Sequence, residues 1–147
     1  MDDGGKRIFD RAVLVSNRQD GPVDQDGLTE LALRTLGAEG VESFELSLSF
    51  VGLEEMADLH ARYMDEAGPT DVLSFPLDEE TGDGVRLLGD VVICPGYAAR
   101  NNPDVESEVR LLLVHGILHL LGYDHEEDAE RAEMWARQER YSGVSVP

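Results

Sequence analysis

The stretch from residue 115 to residue 125 reads HGILHLLGYDH and holds three of the four histidines in a chain of 147 residues. His115 and His119 are four positions apart, so on a helix they share one face, one turn from each other. Two imidazoles so placed can both reach one ion at the ~2.0–2.1 Å of a zinc–nitrogen bond. Gly122 can take the left-handed conformation that ends a helix, and His125 follows on the returning chain. The spacing HxxxHxxGxxH therefore offers two ligands from a helix and a third from the turn after it. Three neutral imidazoles leave one position open for water, the layout of a catalytic zinc site rather than a structural one. The competing reading is a set of core histidines satisfied by ordinary hydrogen bonds. Burying three imidazoles among leucines without a common partner would strand several polar groups, so the metal reading is preferred. Zinc is the default, one Zn2+ per chain, with nickel or copper able to bind by intrinsic affinity.

Metzincin proteases share this spacing but carry a glutamate directly after the first histidine, as general base. Gly116 stands there in this chain and has no proton acceptor on its side chain. A bound metal would still lower the pKa of water to ~7 and polarise an oxygen. The adjacent carboxylate that would pass a proton to an amine leaving group is missing. Peptide hydrolysis is therefore disfavoured, and phosphodiester cleavage, with its better leaving group, asks less of the site.

A helix has to present the first two histidines. Asn102 is a candidate N-cap with Pro103 at the first helical position, where its missing N–H costs nothing. Asp104, Glu106 and Glu108 then lie near the positive end of the helix dipole, and the helix is predicted to run to about Leu121 and stop at Gly122. Upstream, residues 11–16 suit a strand, and a helix capped by Asp26 is expected to reach about Ala38. Residues 43–51 alternate, with Phe44, Leu46, Leu48 and Phe50 on one side, as in a half-buried strand. A helix from about Leu53 to Glu66, a short strand in DVLSFP, an acidic loop LDEETGDG and a strand LLGDVVIC follow. A last amphipathic helix should span roughly Glu126 to Tyr141, with Asp124 and Glu127 as its capping box and Met134, Trp135 and Tyr141 as packing rather than base-stacking residues. Asp124 is also placed beside His125 to orient a water or a ligand. The mixture predicts an α+β fold in which one small sheet is covered by helices, the helix 104–121 is central, and residues 1–147 form one domain.

Charge restricts the partners. With 31 acidic and 12 basic residues the formal net charge is −19, and Lys6 is the only lysine. Such a chain repels RNA at long range, so any nucleic-acid function must rest on a local positive site built from a bound cation and a few arginines. The first ten residues, MDDGGKRIFD, lack an apolar signal core, and the apolar stretch 111–121, broken by two histidines, is too short to span a bilayer. The single cysteine, Cys94, cannot build an internal disulfide framework. These features predict a cytoplasmic protein with no membrane association.

The histidine segment, together with GPTDVLSFP at 68–76 and GDVVIC at 89–94 in that order, resembles the YbeY family of rRNA-maturation endoribonucleases over about residues 8–141. The resemblance implies a zincin-like fold with the metal in a cleft and gives His115, His119 and His125 as the ligands. It also implies a zinc-dependent endoribonuclease acting on single-stranded ribosomal RNA, in maturation of the small-subunit 3′ end and in ribosome quality control. The ribosome or its assembly factors would be its partners. One departure concerns the arginine that the family usually carries after an aromatic residue, just before PTDVLSFP. After Tyr63 this chain has Met64. If that arginine holds phosphate, the role is empty here or passes to Arg62 or another arginine. Arg110, on the histidine helix, is a second candidate for phosphate and is equally placed to pair with Glu106. Asp71 and Ser74 are candidates to line the cleft, with a turn role as the alternative for Asp71; His60 is expected on a polar helix face. Two other functions compete: a metallopeptidase or amidase, which needs a carboxylate reaching the metal from elsewhere, and a zinc-stabilised factor that binds ribosomes without cutting RNA.

Overall fold

The computed structural model describes residues 11–124 and 126–144. Among them, four strands form one sheet in the order β1-β2-β4-β3: β1 (Arg11–Arg18), β2 (Phe44–Val51), β4 (Arg86–Ile93) and β3 (Val72–Glu80). The first three run parallel, and β3 pairs antiparallel to β4 at the edge. Helix α1 (Gln25–Ala38) joins the parallel pair β1 and β2, as a crossover between parallel strands requires. The predicted alternation in β2 is observed: Phe44, Leu46, Leu48 and Phe50 are all buried on one face. They meet Leu31 and Leu36 of α1 and Leu113, Ile117 and Leu118 of α4 (Val105–Leu120). A smaller cluster of Val51, Met56, Leu73, Val92 and Cys94 involves α2 (Leu53–Met64). The expected mixed sheet covered by helices is thus present. No helix among the described residues is long and apolar enough to cross a membrane.

Several boundaries differ from the sequence expectation, each for a local reason. The segment ahead of α4 is itself a short helix, α3 (Pro95–Asn101), which begins with Pro95 in its first turn. Asn102 ends that helix, so it does not cap α4. The cap is Asp104, whose Oδ1 accepts from the Ser107 N–H at 3.2 Å while the Ser107 hydroxyl donates to Oδ2 at 2.7 Å. Likewise α1 is capped by Asp24, which accepts from the Gly27 N–H at 3.1 Å, rather than by Asp26. Helix α2 stops at Met64 because Asp65 adopts a left-handed conformation, with φ 53°. The loop expected at 77–84 is shorter than predicted, since β3 continues through Glu80 and pairs Glu79 with Leu87. The capping box expected of Asp124 and Glu127 does not form. Helix α5 (Asp128–Ser142) starts later, with Glu127 as a cap lacking a side-chain bond, and Asp124 accepts from the Glu126 N–H at 3.2 Å.

Two glycines set how closely the layers approach. Gly89 sits at the bulge of β4 with φ +121°, and a Cβ there would lie 2.1 Å from the Phe75 carbonyl oxygen of β3. Gly116 lies where α4 crosses the sheet. A Cβ at that position would stand 2.7 Å from Val91 Cγ1 and 3.2 Å from the Ser74 hydroxyl, which donates to the Gly116 carbonyl at 3.3 Å. The glycine that replaces a protease's glutamate is therefore a packing requirement: this helix sits too low on the strands to carry a side chain there.

The end of α4 is closed as predicted. Gly122 is left-handed, and the N–H groups of Gly122 and Tyr123 donate to the carbonyls of His119 and Leu118, both at 3.0 Å. The turn is then clamped by Glu39, at the end of α1, whose side chain is only 6% exposed. Its carboxylate accepts from the Tyr123 hydroxyl at 2.7 Å, from Arg137 at 2.6 Å, and from the Tyr141 hydroxyl. Tyr141, expected as a packing residue, packs against the core and is also a hydrogen-bond donor. Burial alone would raise the Glu39 carboxyl, but the bonds from Tyr141, Tyr123 and Arg137, with the charge of Arg137, outweigh it and hold the group below its ordinary value of 4.5.

Two outcomes are expected. Gly116→Ala should lower the melting temperature despite the ~1 kcal/mol that alanine gains over glycine in a helix. In a double-mutant cycle, Val91→Ala should recover part of that loss, and strictly additive losses would refute the contact. Because the Glu39 carboxyl is depressed on folding, its stabilisation is full above pH 4.5 and is lost as pH falls through the folded-state value. Chemical denaturation of Glu39→Gln should therefore show a deficit of about 1–3 kcal/mol at neutral pH that shrinks in acid. A deficit independent of pH would rule out the charged clamp.

Candidate metal centre

From Leu111 onward α4 is buried except for a partly exposed stripe of Leu111, His115 and His119, spaced one turn apart. The two imidazoles meet at a ring-centroid distance of 4.5 Å and an interplanar angle of 76°, with Nε2 of one 3.0 Å from Nε2 of the other. Two nitrogens bound at ~2.0–2.1 Å to a tetrahedral ion lie about 3.3 Å apart, so a few tenths of an ångström of side-chain movement brings this pair to chelating geometry. The donor set fits zinc as far as it is described. His125, the third predicted ligand, lies outside the described residues. Among the described residues, no group of three or more His, Cys, Asp and Glu side chains is arranged for a metal, so no carboxylate there joins the pair.

On its other side the His115 ring meets α5. Its Nδ1 hydrogen-bonds to Oε1 of Gln138, a residue only 3% exposed. The sequence reading missed Gln138, although a signal existed. It lies four residues after Met134 and three before Tyr141, on the face that α5 turns inward, and a polar residue on such a face needs a partner. Of the three residues expected to pack on this helix, Met134 is fully buried, whereas Trp135 is 44% exposed beneath the Arg131 guanidinium.

The GPTDVLSFP segment positions α4 from the sheet side. Asp71 accepts from the Val72 N–H at 2.7 Å and from the Asn101 amide at 3.1 Å, and the same amide donates to Glu108 of α4 at 3.2 Å. Asp71 is thus an anchor joining β3, α3 and α4. Ser74 binds the carbonyl of Gly116, next to His115. Cys94 is buried, and burial pushes its thiol above the ordinary value, which marks an inert core residue. Tyr123, near the end of the motif, is pushed up to about 12 by burial and by its bond to Glu39, so it stays a neutral donor.

The two arginines proposed to hold phosphate lie apart. Arg62, on α2, is 61% exposed and pairs with Asp58 one turn back at 2.9 Å. Arg110 is five residues before His115, roughly 140° around the helix, and its guanidinium donates to the Ser142 carbonyl at 2.9 Å instead of pairing with Glu106. It lines a cavity of about 720 Å³ with Pro22, Val23, Pro95 and Val109, toward the start of α4. His60 bonds to the Gly68 carbonyl at 2.8 Å and approaches Glu66 at 3.3 Å, closing the loop after α2.

Comparison with known proteins agrees with this architecture. The family model described as Endoribonuclease YbeY matches residues 14–143. The Endoribonuclease YbeY of Thermobifida fusca is 49% identical over 138 residues, which cover 86% of this chain and 89% of that protein. The one from Nocardia farcinica is 44% identical, covering 88% and 77%. The solution structure of TM1509 from Thermotoga maritima is 30% identical with a TM-score of 0.57, covering 88% of this chain and 86% of that one. With the family model spanning nearly the whole described chain, this protein belongs to the YbeY endoribonuclease family.

Proposed function

We propose that the chain is a zinc-dependent endoribonuclease specific for single-stranded RNA, working in the cytoplasm on ribosomal RNA precursors. Its substrate would be the 3′ end of the small-subunit RNA, and it would act with the ribosome or its assembly factors, in quality control as well as maturation. The observation that carries this reading is the pair of Nε2 atoms 3.0 Å apart on the partly exposed stripe of α4. Family membership supports RNA as the substrate.

His115 and His119, with His125, would hold one zinc ion, and that ion, when bound, supplies a Lewis acid for a phosphate oxygen. The protein's own residues do the rest. Gly116 places no carboxylate beside the pair, which suits a leaving oxygen better than a leaving amine. With a formal net charge of −19 the chain repels RNA at long range, so RNA would be held at short range by the bound cation and individual arginines. Arg62 can exchange Asp58 for a phosphate, because an exposed pair of this kind is worth at most about 1 kcal/mol. Arg110 would act through the end of α5, whose last carbonyl it binds. A peptidase or amidase would need a carboxylate reaching the metal, and none gathers with the pair among the described residues.

Zinc-loaded protein should cut a single-stranded ribosomal precursor fragment, and His115→Ala/His119→Ala should lose both the metal and at least a hundredfold in rate, measured with metal content in the same samples. Undiminished cleavage by the double variant would sink the proposal, and RNA left intact by both proteins would favour a binding factor. Arg62→Ala should keep its zinc and cut about 10-fold more slowly, the loss expected for one charge-assisted contact.

A further inference from the structure

We propose that Gln138 is a positioning residue that fixes the tautomer of His115. The bond runs between the Gln138 amide oxygen and His115 Nδ1. An amide oxygen only accepts, so the proton of this bond must be on Nδ1, and a neutral imidazole protonated there carries its lone pair on Nε2. Nε2 is the atom turned toward His119. Moving the proton to Nε2 would direct an N–H at the neighbouring ring and leave a buried amide oxygen facing a second acceptor. Gln138 has little freedom to escape this, being 3% exposed, with its own backbone carbonyl held by the Ser142 hydroxyl. Ser142 in turn accepts the Val144 N–H at 3.1 Å and, through its carbonyl, the Arg110 guanidinium at 2.9 Å. A series of bonds thus runs from Arg110 on α4, through the end of α5, and back to His115 on α4.

The inference rests on the zinc reading for its purpose, though not for its geometry. A histidine whose second nitrogen donates to a fixed acceptor is oriented for a metal and is a more basic ligand, and removing such an acceptor typically weakens metal binding 10–100-fold. The relevant variants are Gln138→Leu, which removes the acceptor, and Gln138→Glu, which keeps one.

Long-range proton–nitrogen NMR on the metal-free protein reads the tautomer directly, and zinc affinity is read by competition with a chromophoric chelator. Wild type should show His115 with its proton on Nδ1. Gln138→Leu should lose that single form and bind zinc 10–100-fold more weakly, and Gln138→Glu should retain both properties. If Gln138→Leu does not fold, the wild-type spectrum and Gln138→Glu still decide the matter. A wild-type His115 protonated on Nε2, or unchanged tautomer and affinity in a folded Gln138→Leu, overturns the proposal. Wild type carrying the Nδ1 proton but failing to bind zinc would uphold the tautomer assignment while refuting the metal reading.

Discussion

The closeness of α4 to the sheet is the constraint on which the rest of the structure depends. Gly116 lets Val91 and Ser74 occupy the space that a Cβ on the helix would fill. This contact sets the depth of α4, and with it the height at which His115 and His119 emerge. Either side of it, Leu113, Ile117 and Leu118 are fully buried, each contributing about 1.5–3 kcal/mol. A carboxylate next to His115 and this packing are mutually exclusive, which links the fold directly to the kind of leaving group the site favours.

Around that helix the remaining contacts act as stops at its ends. Asp71, Asn101 and Glu108 tie its first turns to β3 and α3, while Glu39, Tyr123, Tyr141 and Arg137 tie the turn after it to α1 and α5. The motif residues outside the histidines thereby acquire reasons. Asp71 and Ser74 dock the helix, Gly89 permits the bulge, and Tyr123 seats the returning chain. The arginines follow a similar logic. Arg18, Arg62, Arg86, Arg131 and Arg137 each stand within 4 Å of a carboxylate, so the large acidic excess lies against cations that already have local partners.

What could be read in advance was whatever repeats with a period. The i, i+4 histidines and the alternation of β2 are visible because helix and strand geometry are local. The caps differ from the sequence expectation where two capping residues stand close together, Asp24 against Asp26 and Asn102 against Asp104, and the choice depends on which side chain finds a backbone N–H. Helix α3 was overlooked because seven residues give no measurable period. Gln138 and Glu39 were invisible for a different reason. Their partners lie 23 and 84 or more residues away, and a single chain does not say which of its polar residues will be enclosed together.

The extension of β3 past Pro76 also bears on how copies of the protein meet. β3 is an edge strand, and its last residues, Asp78, Glu79 and Glu80, are exposed. The β3 of a second molecule adding itself there would align its own carboxylates against these, and the repulsion would oppose pairing of the two β3 edges. The acidic end of β3 thus discourages this border from closing on a copy of itself, even at high concentration.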